Sequence, residues 1–104
     1  MSTSATIKIE GGKNFALYKH FDGYPEATLK WLEKFNKEFT ENRGNDISYK
    51  KAQLVRSSIK DAEEFNLDAS EYTGWGIFVD SDECYVEFEY TLMADGSVKT
   101  IAVD

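Results

Sequence analysis

Apolar and polar residues alternate along Ala5-Thr-Ile-Lys-Ile-Glu10, placing Ile7 and Ile9 on one side of an extended chain, the pattern of a half-buried strand. Gly11-Gly12 interrupts it, and the residues from Glu10 to Asn14 fit a hairpin loop, so the pattern predicts a second strand antiparallel to the first. That strand runs from Phe15 to Phe21, with Phe15 and Leu17 on one face and Ala16, Tyr18 and His20 on the other. Asp22-Gly23 breaks it, and Pro25 presets φ for a first helical turn with Glu26 beside the positive helix end.

From Glu26 to about Asn42 the period changes. Leu29, Leu32, Phe35 and Phe39, with Trp31, trace one stripe of an amphipathic helix, and Lys30, Glu33, Lys34, Lys37, Glu38 and Glu41 form its solvated face. Trp31 belongs at the margin of the core, and Gly44 suits the end of the helix. Asp46 or Ser48 caps a second helix whose apolar face is Ala52, Val55, Ile59 and Ala62, joined by Phe65; Ser57-Ser58 reads as ordinary helix surface. Its first half is basic and its end acidic, an order that opposes the helix dipole.

After a polar connection, Trp75, Ile77 and Val79 alternate along Gly74 to Asp80. Cys84, Val86, Phe88, Tyr90 and Leu92 then alternate with Tyr85, Glu87, Glu89 and Thr91 along a strand from Glu83 to Leu92. Ala94-Asp-Gly96 turns the chain into a closing strand, Ser97 to Val103. The expectation is a two-layer α+β fold in the order ββααβββ, an antiparallel five-stranded sheet with two helices on one face, as a single domain over residues 1–104.

Charge sharpens this picture. The net charge is −7, yet residues 1–60 hold eleven of the twelve Lys and Arg against seven acids, and residues 61–104 hold Lys99 alone against twelve acids. Overall acidity argues against direct binding to nucleic acid, since phosphate contacts need a basic stripe that outweighs the acids. One cysteine excludes an internal disulfide, and one histidine excludes a Cys/His zinc site. No cofactor or metal is expected. The N-terminus has no basic and apolar leader, and no apolar run approaches a membrane span, so the expected location is cytoplasmic.

The run Tyr18-x-His20-x-Asp22-Gly23-Tyr24-Pro25-Glu26 resembles the signature of a group of small prokaryotic and phage proteins without an assigned activity, in which such a run precedes a helix. The acidic and aromatic alternation from Glu83 to Tyr90 is similar to a later strand of that group, whereas Ala27-Thr28 stands where the group often has a second glycine. The resemblance implies a phage or prophage accessory protein and lends no reaction.

Three constellations carry candidate chemistry. His20 with Asp22 is an acid–base pair in waiting, with no nucleophile spaced beside it. Asp80, Asp82 and Glu83 form an oxygen-rich turn, without the glycine and distant glutamate of a calcium loop. Glu87 and Glu89, with Asp80, Asp82 and Glu71 and the tyrosines Tyr72 and Tyr85, form an acidic, aromatic face suited to a basic protein surface. The expected function is binding, as a protein–protein interaction module, up to an inhibitor of the anti-CRISPR kind whose carboxylates imitate nucleic acid. Its site would draw on Tyr18, His20, Asp22, Tyr24, Glu26, Asp80, Asp82, Tyr85, Glu87 and Glu89. The partner would be a protein with a basic surface, such as one that itself binds nucleic acid, met by a monomer or weak homo-oligomer. A small enzyme using His20 and Asp22, and a self-associating structural protein, are the alternatives.

Overall fold

A computed structural model describes residues 3–58, 74–79 and 85–103. Its elements are β1 (Ala5–Ile9), β2 (Ala16–Lys19), α1 (Pro25–Arg43), α2 (Ile47–Ser58), β3 (Trp75–Phe78), β4 (Phe88–Leu92) and β5 (Val98–Ala102). This is the α+β order ββααβββ, built on one five-stranded sheet in the order β3-β2-β1-β4-β5.

The sheet is mixed where an all-antiparallel one was expected. β1 pairs antiparallel with β2 through the hairpin, but parallel with β4, Ile7 lying opposite Leu17 on one side and Tyr90 on the other. The reason is connectivity. A short turn forces antiparallel neighbours, as it does for β1–β2 and β4–β5, whereas everything from α1 to β3 lies between β2 and β4 and allows the crossover that a parallel pair requires.

Leu32 of α1 and Leu54 of α2 are buried in one cluster with Ala5, Ile7, Ile9, Leu17, Tyr90 and Leu92, which alternate onto one sheet face, so both helices cover that face. The α2 face differs from the expected one. Ala52 is exposed and the buried positions are Lys50, Leu54 and Ser58, while Ile59, Ala62 and Phe65 lie outside the described residues. A lysine at a core position hid the stripe, because Lys reads as solvated until its amine is seen to be enclosed. Asn36 does the same in α1. It is buried, and its Nδ2 donates to the carbonyls of Met93 and Ser97, pinning the β4–β5 turn beneath the helix.

The helix ends follow local rules. Pro25 opens α1 behind Tyr24, which has extended backbone and no side-chain cap, and Gly44 at φ 63° closes it with its N–H on the Thr40 carbonyl. Asp46 caps α2, its Oδ1 accepting from the Tyr49 amide at 3.3 Å. Gly11 has φ 80° and brings the hairpin turn against α2 so closely that a Cβ there would stand 2.9 Å from Ile47 Cδ1. Ser57, expected at the surface, instead accepts a hydrogen bond from Trp31 Nε1, and Trp31 meets Trp75 edge to face, joining α1, α2 and β3.

Candidate functional site: the uncovered face of the sheet

Strand alternation sends the residues between the core positions to the face that carries neither α1 nor α2 and that no helix among the described residues covers. One row across that face runs Gly76, Tyr18, Thr6, Glu89 and Ile101, each opposite the next in the strand register. On the same face are Ala16 opposite Phe78, and Lys8 opposite Thr91. A concavity of about 620 Å³ opens here, lined among others by Thr6, Lys8, Ala16, Phe78, Val86 and Glu89. Its wall is apolar through Phe78, Val79 and Val86, and its charges are Lys8, Lys13 and Glu89. Thr6 is buried, and among the described residues its Oγ1 has no hydrogen-bond partner.

Of the residues singled out in the sequence, three share this face. Tyr18 and Glu89 flank Thr6 in one row, and Tyr18 Oη is hydrogen-bonded to His20 Nδ1 at 2.6 Å. Tyr18 packs at a tilt against Phe78, 4.7 Å between centroids, and His20 meets Phe21 edge-on, so the imidazole is part of an aromatic group on the β2–β3 side. Glu89 lies 3.9 Å from Lys8 Nζ, a partly exposed pair of small energetic weight.

The remainder of the Tyr18–Glu26 run is an anchor. The His20 amide donates to Gly74, the Gly23 amide to Thr3, and Thr28 Oγ1 to the Asp22 carbonyl. Asp22 carries the positive φ of 55°. Gly23 is required for a different reason, since a Cβ there would lie 2.8 Å from Ala5 Cβ. Tyr24 and Glu26 are exposed around the helix start, and the Tyr24 carbonyl accepts from the Ala27 and Thr28 amides.

The acidic strand departs from expectation in extent. Its regular ladder begins at Phe88, because the Ser4 carbonyl accepts from the amides of both Glu87 and Phe88 and the alternation shifts there. Val86 consequently lines the concavity on the uncovered face, where alternation from Phe88 had put it on the core side. Tyr85 is 93% exposed and Glu87 is exposed on either side of it. Asp80, Asp82 and Glu83, with Glu71 and Tyr72, lie outside the described residues. The described residues carry eleven Lys and Arg against ten acids, and the rest of the chain holds Lys60 against nine, so the acidity falls almost wholly outside the described body.

Thr6, Lys8, Ala16 and Phe78 were not among the sequence candidates. The alternation of β1 marks Thr6 and Lys8 as the side away from the core, but only the parallel neighbour β4 brings Glu89 beside them. Among the described residues no group of three or more His, Cys, Asp and Glu side chains is placed to hold a metal ion, and no helix is long and apolar enough to cross a membrane. No family model matches this chain, and neither a curated protein nor a solved structure shows significant similarity to it.

Proposed function

We propose that this protein works in the cytoplasm by binding another protein, through the uncovered sheet face and the segment that enters β4. The observation that carries the reading is the sequence of exposures at that entry. Tyr85 presents its ring to solvent beside exposed Glu87, while Val86 between them turns into the wall of the concavity. A tyrosine so exposed gains apolar burial only in a complex, and an aromatic anchor next to a pocket is the usual centre of a protein interface.

The partner proposed is a protein with a basic surface. Glu87 stands at the site, and the neighbouring residues Asp80, Asp82 and Glu83 add carboxylates in sequence, which favours encounter with a cationic surface. The similarity of the Tyr18–Glu26 run to small phage proteins supports a phage or prophage accessory role, with inhibition of a nucleic-acid-binding protein as its sharpest form. The run itself is a support that fixes β2 to α1.

The test is capture of partners from native lysate at low and high salt by the wild type, by Tyr85→Ala and by Glu87→Lys. Both side chains are exposed, so the variants should melt as the wild type does. Salt-sensitive capture lost in both supports the reading; capture undiminished in both overturns it.

A further inference from the structure

β5 is the outer strand of the sheet, and among the described residues nothing pairs with its free edge. Lys99, Thr100, Ile101 and Ala102 are all exposed, Ile101 by 42%. An open edge is a template for another strand, and proteins usually blunt one with lysine or other charged side chains, proline or a bulge; of these β5 carries Lys99 alone. The five residues of β5 contain neither proline nor glycine and keep unbroken register with β4.

The hydrogen-bond parity of the edge is fixed by its two ends. The Met93 amide donates to the Ser97 carbonyl, and the Val103 amide to Glu87, so the odd-numbered positions of β5 face β4. Val98, Thr100 and Ala102 therefore turn their N–H and C=O groups outward. An antiparallel partner centred on Thr100 sets Thr100 against Thr100 and Val98 against Ala102, and these are the outward-bonding residues on both strands. The edge is self-complementary about a two-fold axis.

The side chains agree with that register. On the uncovered face, Lys99 of a second copy falls opposite Ile101, and Ile101 is opposite Glu89 within its own sheet. The aliphatic stem of that lysine covers Ile101, and its ammonium reaches toward Glu89, whose contact with Lys8 is long at 3.9 Å. On the helix face Thr100 meets Thr100, a favourable cross-strand pair, and no like charges stand directly opposite.

We propose that β5 is a self-association edge: two copies pair their β5 strands antiparallel about Thr100, joining their sheets into one of twice the width. A two-fold axis perpendicular to the sheet leaves all four helices on one side and both concavities on the other. The proposal is independent of the partner site at Tyr85, which lies at the opposite end of β4 from the β4–β5 turn.

Sedimentation equilibrium of the full chain across micromolar to millimolar concentration tests it. The wild type is expected to pass from the 11.9 kDa single chain toward twice that mass. Thr100→Pro deletes an outward N–H without touching the β4 ladder, a substitution that edge strands accept, and should weaken association by more than about tenfold. Lys99→Glu sets a carboxylate beside Glu89 of the other copy and should do the same. If Thr100→Pro loses the native circular dichroism spectrum, Lys99→Glu alone decides. A wild type at single-chain mass throughout, or a folded variant that associates as the wild type does, overturns the proposal.

Discussion

Tyr90 Oη donates to the Gly23 carbonyl at 2.6 Å, tying the centre of β4 to the turn that launches α1. Tyr90 is wholly buried, and Gly23 is packed so closely on Thr3, Ser4 and Ala5 that no side chain fits there. The bond joins segments far apart in sequence and fixes where α1 begins over the sheet. Tyr90→Phe would leave the buried carbonyl without this donor, at a cost of about 1–3 kcal/mol. A chemical denaturation midpoint equal to that of the wild type would remove the bond from the account.

The same phenol sets an alkaline limit. Burial pushes Tyr90 up to about 12, opposed in part by the neighbouring Thr28 hydroxyl, with the Glu26 charge adding a smaller upward push. The unfolded phenol ionises near 10.0, so above that pH the unfolded state has lost a proton that the native state keeps. Stability from this group is complete below pH 10 and is lost as pH rises toward about 12. Tyr90→Phe should lack that loss, which urea titrations at successive alkaline pH values would show.

Lys50 contributes with the opposite sign. Lys50 is 0% exposed, its Nζ has no hydrogen-bond partner among the described residues, and that Nζ lies over the Phe39 ring, 5.7 Å from the centroid. Burial lowers its pKa from 10.5, partly offset by Glu10. The native amine thus releases its proton at lower pH than the unfolded one, and stability rises with pH until 10.5 is reached. Lys50→Met keeps the aliphatic volume and removes the amine, and should stabilise by about 1–3 kcal/mol at neutral pH, with a flatter pH dependence. A less stable Met variant would mean that the amine is well solvated or paired.

The core assignment separates adjacent positions of α2. Leu54 is fully buried and Val55 only partly, so Leu54→Ala should cost about 2–5 kcal/mol and Val55→Ala less. Leu32→Ala in α1 should match Leu54→Ala, because both fill the same cluster. Equal melting shifts at positions 54 and 55 would contradict the orientation of the helix.

Gly23 and Gly44 test two different needs for glycine. Gly23→Ala drives a Cβ into Ala5 and the Thr3–Ser4 backbone and should cost about 1–3 kcal/mol through overpacking. Gly44→Ala meets no atom within 4 Å and suffers only from its φ of 63°. Differential scanning calorimetry should rank Gly23→Ala as the more damaging change if the Tyr18–Glu26 junction is held by packing.

Much of this was legible along the chain because it depends on neighbours in sequence. Alternation in Ala5–Ile9 and the three-and-four spacing of Leu29, Leu32, Phe35 and Phe39 follow from the backbone periods of strand and helix, and Pro25, Gly44 and Asp46 mark ends by local geometry. Partners distant in sequence were decided in three dimensions. Whether β4 lies beside β1, and in which direction, depends on which arrangement buries Tyr90 and Leu92 beside Ile7 and Ile9, and no local period encodes it. The same holds for Lys50 and Asn36, polar residues whose burial comes from neighbouring elements, and for Val86, turned to the uncovered face by a shared hydrogen bond at Ser4. Sequence fixes periods and ends because they are properties of a short stretch of backbone; the concavity and the free edge of β5 exist only once strands from both ends of the chain lie side by side.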